Sequence, residues 1–312
     1  MFRDSKKMNR KYILLILLPL VALCAGCTEE DYRNCPAGQY ISFEPKNPKH
    51  NYRELVRTVD LLYYDASGTL AAEYNYTREQ LRSGDYAAFV PAMEAGEYTL
   101  VAAVNLSDRF EVNEKQTLDR IYTVLKGETV SDVPHDFFTA VDRITVTGGW
   151  TMQEHTMMLI KHSNTIYLTV AFDGYTLPAG ASLDAYIFGY NGMFRYADMY
   201  PAGMNTYGRN YTPQTRDGDR FTIGTMRLWT EADIELAVTQ SDGTRAVTRT
   251  VALDLIEELM KVKDQAGNYL YDTTGKMEYQ DEYEIVLTLG PDFVVLGLTI
   301  NNWSVIGGGV EV

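Results

Sequence analysis

From residue 40 to residue 300 the chain repeats one pattern, a short run of alternating apolar and polar residues closed by a turn signal. A period of two places one set of side chains on each face of an extended strand. Ile166, Leu168, Val170 and Phe172 alternate before Asp173-Gly174. Ile234, Leu236 and Val238 do so before Asp242-Gly243, and Tyr283, Ile285, Leu287 and Leu289 before Gly290-Pro291-Asp292. Tyrosine is abundant, 23 of 312 residues, which suits half-buried sheet surfaces. Many short strands without regular helix–strand alternation argue against a parallel α/β sheet. The expectation is an all-β chain of two tandem antiparallel β-sandwich domains with a few short helices.

Strands are expected at residues 40–43, 56–64, 70–76, 98–105 and 156–161, with a hairpin turn at Asp65-Ala66-Ser67-Gly68. Thr77 with Gln80 has the form of a capping box, and Gly84 should stop the short helix that it opens. Leu118, Ile121, Tyr122 and Leu125 lie at helical spacing, so residues 117–125 are expected as a small helix over a sheet edge. In the second half, Asp242-Gly243 separates two runs in the strongest hairpin signal of the chain. Arg249 breaks the apolar face of the returning strand, which should be only partly buried. A helix is expected over residues 253–262 and a terminal hairpin over residues 293–303. No linker stands out. The boundary falls near residue 162, dividing the chain into residues 27–161 and 162–312 after a leader of residues 1–26.

That leader has Arg10 and Lys11 before an apolar run, residues 13–23, broken only by Pro19. Small Ala25 and Gly26 then precede Cys27. The order is that of a secretory signal peptide with a lipoprotein-type site, cleaved between Gly26 and Cys27 and acylated on Cys27. The run is shorter than the roughly 18 apolar residues of a bilayer span. Cys24 stands where such sites usually carry Leu, and a secreted product cut near Ala25 or an uncleaved anchor are the other readings. The acidic run Thr28-Glu29-Glu30-Asp31 resembles the signal that Bacteroidales-type lipoproteins use to reach the outer face of the outer membrane.

The leader removes five of the 28 basic residues (Arg3, Lys6, Lys7, Arg10, Lys11) and one of the 42 acidic ones (Asp4), leaving 23 against 41, a net charge of −18. A body this acidic repels phosphate backbones, which argues against nucleic-acid binding, and leaves attachment to the acyl chains. With Cys27 acylated, Cys35 has no partner in the chain, so a core rather than disulfides must hold the fold.

No phosphate-binding loop, nucleophile elbow or HExxH motif is present, and no catalytic residues are assigned. His155 and His162 should fall near one junction, but no third ligand lies near them in sequence, so no metal is expected. Asp217-Gly218-Asp219 lacks the spacing of a calcium loop and reads as a turn. Between residues 186 and 211, tyrosines alternate with glycines. Tyr190, Tyr196 and Tyr200 are candidates for a flat contact surface for sugar or protein, the other reading being that half of these aromatics line the core.

Three segments, residues 59–70 (VDLLYYDASGTL), 93–105 (MEAGEYTLVAAVN) and 298–303 (LTINNW), together with the Cys27 site and the lone Cys35, resemble the FimB-type fimbrial anchor family of Bacteroidales. The resemblance implies two transthyretin-like β-sandwich domains. It also implies a non-enzymatic outer-membrane lipoprotein without a cofactor, an anchor or minor subunit at the base of a fimbria. The implied partners are shaft or accessory subunits, joined by β-strand addition to an open sheet edge, and outer-membrane lipid through acylated Cys27. A flexible tail is expected after Ile306. A surface glycan-binding lipoprotein of a sugar-uptake system is the alternative function.

Overall fold

The computed structural model describes residues 37–133, 136–148, 151–198, 207–244 and 246–306. In the first half the strands are β1 (Gly38–Pro45), β2 (Thr58–Tyr64), β3 (Leu70–Thr77), β4 (Ala88–Pro91), β5 (Gly96–Val104), β6 (Phe110–Asn113), β7 (Tyr122–Leu125), β8 (Thr129–Val130), β9 (Phe138–Val146) and β10 (Met152–Lys161). The second half adds β11 (Ser163–Phe172), β12 (Ser182–Gly189), β13 (Met193–Arg195), β14 (Arg209–Tyr211), β15 (Thr215–Asp217), β16 (Arg220–Met226), β17 (Ile234–Ser241), β18 (Val247–Asp254), β19 (Glu282–Leu289), β20 (Val295–Ile300) and β21 (Trp303–Ile306). Short helices span Tyr52–Leu55, Arg78–Ser83, Leu255–Met260 and Thr274–Met277.

The first sheet runs β3-β2-β5-β9-β10-β1-β4. Its β9–β10 join holds by only two residue pairs, Ile160 with Thr139 and Lys161 with Phe138. At that narrow join the sheet turns from β3-β2-β5-β9 to β10-β1-β4, and both stretches bury side chains in one core. Two further sheets, β15-β16-β11-β19-β20-β21 and β18-β17-β12-β14-β8, enclose a second core. The all-β architecture is as read from the sequence, but the sheets are mixed. β1 pairs β10, β11 pairs β19, and β14 pairs β8 in parallel. Alternation within a strand reports which face is buried, not which way its neighbour runs, so these pairings were not legible.

β2 and β5 carry the connection between the cores. On β2, Val59, Leu61 and Tyr63 enter the first core, while Leu62 and Tyr64 enter the second. On β5, Leu100, Ala102 and Val104 face the first core, and Val101 and Ala103 face the second. A strand dry on both faces reads as a near-continuous apolar run, as both do. Each fully buried aliphatic side chain contributes about 1.5–3 kcal/mol, so the two cores are joined through shared strands.

The segment expected as a helix, residues 117–125, is instead a turn followed by β7. Leu118 N–H donates to Gly68 O at 2.9 Å, and β7 pairs β6 on one side and β13 on the other. A nine-residue helix is marginal alone, and β-branched Ile121, Thr123 and Val124 are well suited to a strand. Pairing with β13, more than 60 residues downstream by the register Val124 to Met193, decided the outcome. The helix expected over residues 253–262 is confined to Leu255–Met260, with Asp254 accepting from Glu257 N–H at 2.9 Å as its cap.

The expected capping box and the turns at Asp65 and Asp242 form as read, and turns at Asp264 and at Asn301-Asn302 join them. Thr77 and Gln80 form both halves of a capping box. Asp65 Oδ1 accepts from Ser67 N–H and Thr69 N–H at 2.9 and 3.0 Å, and Gly68 has φ +78°. Asp242 repeats this arrangement with Thr244 and Ala246, and Asp264 with Ala266 and Asn268. Asn301 and Asn302, at φ 50° and 68°, make the two-residue β20–β21 hairpin turn, where positive φ at both positions is required.

The seam between the halves is polar, and Arg227 is closed within it. Arg227, 1% exposed, donates to Lys161 O (2.5 Å), Met277 O (2.9 Å), Glu278 O (2.9 Å) and Asp281 Oδ1 (3.3 Å). Asp281 Oδ2 lies 2.7 Å from Asn47 Nδ2 and 2.6 Å from His50 Nε2, and Lys46 pairs with Glu278. Burial alone would raise the Asp281 pKa. The hydrogen bond to His50 and the Arg227 charge outweigh it and hold the carboxyl below its usual value. Beside this cluster His162 is fully buried, 2.6 Å from Thr139 Oγ1 and against Phe194, its ring centroid 4.0 Å away. Burial first, and then the Arg227 charge, push its pKa well below the ordinary value.

Two predictions follow from the seam. Arg227→Ala strands Asp281 in a buried site and should cost roughly 3–5 kcal/mol in denaturant unfolding. A buried neutral histidine makes stability fall as pH drops below about 6.5, because only the unfolded chain then takes up the proton. His162→Gln should flatten the stability difference between pH 7.5 and pH 5.5, measured by urea titration at each pH.

Candidate functional site

A protein that works by adding strands needs an unpaired edge long enough to pair and free of charges that would block it. Among the described sheets, the edge strands β4, β6, β8, β13, β15 and β21 have two to four residues. β4 also ends in Pro91, and its Phe89 O accepts from Tyr76 O–H at 2.7 Å. β3 has eight residues but carries Glu73, paired with Lys115, and Asn75, bonded to Asp60. β18 also has eight residues, pairs only β17, and between Val247 and Leu253 carries one charge, Arg249.

The sequence places side chains along β18 in alternation. Val251 and Leu253 lie opposite Val238 and Leu236 and pack on the second core, while Thr250 and Ala252 are exposed. Val247, 62% exposed, sits at a register shift beside Ser241. At this end the Arg249 guanidinium stacks 5.1 Å from the Tyr175 ring and reaches Asp292 at 3.3 Å. Tyr175 O–H donates to Gln240 at 2.6 Å, and its ring contacts Phe172 and Phe293 at 5.3 and 6.2 Å. Asp292 and Phe293 both have φ 63°, a left-handed backbone that non-glycine residues rarely adopt. The result is an open backbone rim bordered by partly buried aliphatics, with an aromatic floor at one end.

The tyrosine-rich stretch does not assemble as expected. Tyr196 is 1% exposed, with its hydroxyl 2.7 Å from Thr123 Oγ1, so it belongs to the core and not to a contact surface. β13 draws it inward, since Arg195 pairs with Tyr122 of β7. Burial raises its pKa. Tyr190 is half-buried, its ring 5.1 Å from Phe188. Phe194 and Tyr211 are buried as well, and the Tyr211 O–H donates to Asn191. Tyr200, Gly26, Cys27 and Cys35 lie outside the described residues, as does His135.

The histidines are separated. His155 pairs with Asp142 at 3.1 Å, His162 lies in the core, and His50, not His155, joins the seam. Among the described residues no three His, Cys, Asp or Glu side chains converge as a metal set. Asp217 pairs with Arg220 across a tight turn in which Gly218 has φ +60°. No helix among the described residues is long and apolar enough to cross a membrane.

The model of the fimbrillin-A associated anchor proteins Mfa1 and Mfa2 matches residues 32–307. The chain belongs to this anchor family. The fimbrial anchor Mfa2 of Porphyromonas gingivalis is 20% identical and superposes with a TM-score of 0.67, covering 88% of this chain and all of that one. A putative polysaccharide-binding protein of Bacteroides thetaiotaomicron, 18% identical, gives 0.72 over 86% of this chain and 97% of its own. A putative adhesin from the same organism, also 18% identical, gives 0.68 over 88% and 99%. At these identities the structural likenesses speak to the fold alone. No curated protein sequence matches the chain.

Proposed function

We propose that this family member is a lipid-anchored subunit of a fimbria on the outer membrane, an anchor or minor subunit, which binds shaft or accessory subunits by strand addition at β18. The family places it among fimbrial anchors, consistent with a non-enzymatic role, and the leader ending in Gly26-Cys27 supports acylation of Cys27 after export. The observation that carries the assembly reading is the eight-residue β18 edge, paired on one side and bordered by Val251 and Leu253. An added strand would satisfy its backbone groups and lay alternate side chains over those residues. Residues 27–161 and 162–312 are then two β-sandwich domains, with residues 106–133 of the first completing the second by way of β7–β13 and β8–β14.

The glycan-binding reading draws on the putative polysaccharide-binding protein of the same fold. Burial of Tyr196 removes one of its three candidate contacts, which favours the fimbrial role.

Two variants separate attachment from assembly. Cys27→Ala should abolish fatty-acyl labelling and release the protein, with its fimbriae, from the cell surface. Thr250→Lys with Ala252→Lys, both exposed, should keep acyl labelling and melting temperature while losing co-purification of fimbrial subunits. Subunits retained by the double variant would overturn strand addition at β18, and normal attachment of Cys27→Ala would overturn the anchor.

A further inference from the structure

One pole of the first sandwich is built from segments without charged residues. Residues 37–43, 88–93 and 144–148 with 151–153 contain no Asp, Glu, Lys or Arg, in a chain of which 22% is charged. They are distant in sequence and meet in the fold. Gly38 pairs with Met152 on one side and with Pro91 on the other, and Tyr40 pairs with Phe89. The register sets Met152, Tyr40, Phe89 and Pro91 on the outward face, at the end where β1 begins. Met152 is 41% exposed, Pro91 and Ala92 are exposed, and the Tyr40 and Phe89 rings, half-buried, lie 5.3 Å apart. Gly38 makes the close approach possible, since a Cβ there would fall 2.9 Å from the Phe89 ring. Acidic groups border the patch: exposed Glu154 stands opposite Tyr40 on the same face, Glu94 follows Met93, and Glu97 accepts from Thr145 O–H at 2.7 Å.

We infer that this pole is a membrane-contact surface, resting in the headgroup region of the bilayer that holds the acyl chains. The inference rests on the lipid anchor proposed above. Ten residues separate Cys27 from Ala37, at most about 33–36 Å when extended, so the tether brings this end of the body to the lipid before any other. The rest of the body is strongly acidic and is pushed away from anionic headgroups. The patch of Met152, Pro91 and Ala92 brings no charge of its own to desolvate on approach, and Glu94, Glu97 and Glu154 stay at its rim. Tyr, Phe and Met with a polar rim are the side chains that favour the interface. Contact here would fix the orientation of the anchored body and hold β18 in a set direction.

The test uses the full mature lipidated protein in phosphatidylethanolamine–phosphatidylglycerol vesicles, with Cys35→Ser to remove the free thiol. A polarity-sensitive dye is attached at Met152→Cys, at Ala92→Cys, or at Tyr269→Cys in the second half. Dyes at residues 152 and 92 should shift to the blue and lose most of their emission to nitroxide-headgroup lipid, while the dye at residue 269 keeps its emission. Protein that floats with vesicles but shows equal quenching at all three positions overturns the pole. A blue shift at residue 152 without lipid quenching, growing with protein density, overturns it in favour of a second copy of the chain. Failure to float at all counts instead against the Cys27 anchor.

Discussion

The fold depends on a sheet that is dry on both sides. In β2 and β5 successive residues are divided between two cores, Leu61 to one and Leu62 to the other, Ala102 to one and Val101 to the other. Neither strand has a face left for solvent, so neither core can close without it. Two sandwiches that would otherwise touch at a surface therefore share interior residues. This explains why residues 106–133, which follow β5, pack with the second half: the chain leaves the shared layer on its far side and continues there as β6, β7 and β8.

The seam adds a polar constraint to this apolar one. A fully buried guanidinium is costly to desolvate and is tolerated only where each of its nitrogens finds an acceptor. Arg227 meets that condition with three carbonyls and Asp281, drawn from the end of β10, the region after the helix Thr274–Met277 and the start of β19. Asn47 and His50, from the first half, complete the coordination of Asp281. The geometry is satisfied only when both halves are in place, so the cluster contributes more to their relative position than to net stability.

With the interior closed in this way, function falls to what remains unpaired outside. Two surfaces stand out for different reasons, β18 because among the described residues it pairs with a strand on one side only, and the pole around Gly38 and Met152 because it exposes apolar side chains on segments without charged residues. They belong to different sandwiches. In the function proposed above, that separation gives one region to the membrane and another to the added subunit.

Residues close in sequence determined much of this by themselves. The Thr77–Gln80 box, the Asp65 and Asp242 turns and the β17–β18 hairpin all depend on contacts a few residues apart, so the pattern along the chain was enough to read them. The all-β class followed from the period-two alternation, and the fimbrial family from three short segments matched in order. Tertiary structure alone decided the rest. The parallel β1–β10 and β11–β19 pairings, β7 in place of a helix, and the burial of Tyr196 beside Thr123 each rest on partners tens of residues away. A side chain's sequence neighbours say whether it can lie on a sheet. Which of two faces meets water depends on what the rest of the chain brings against it.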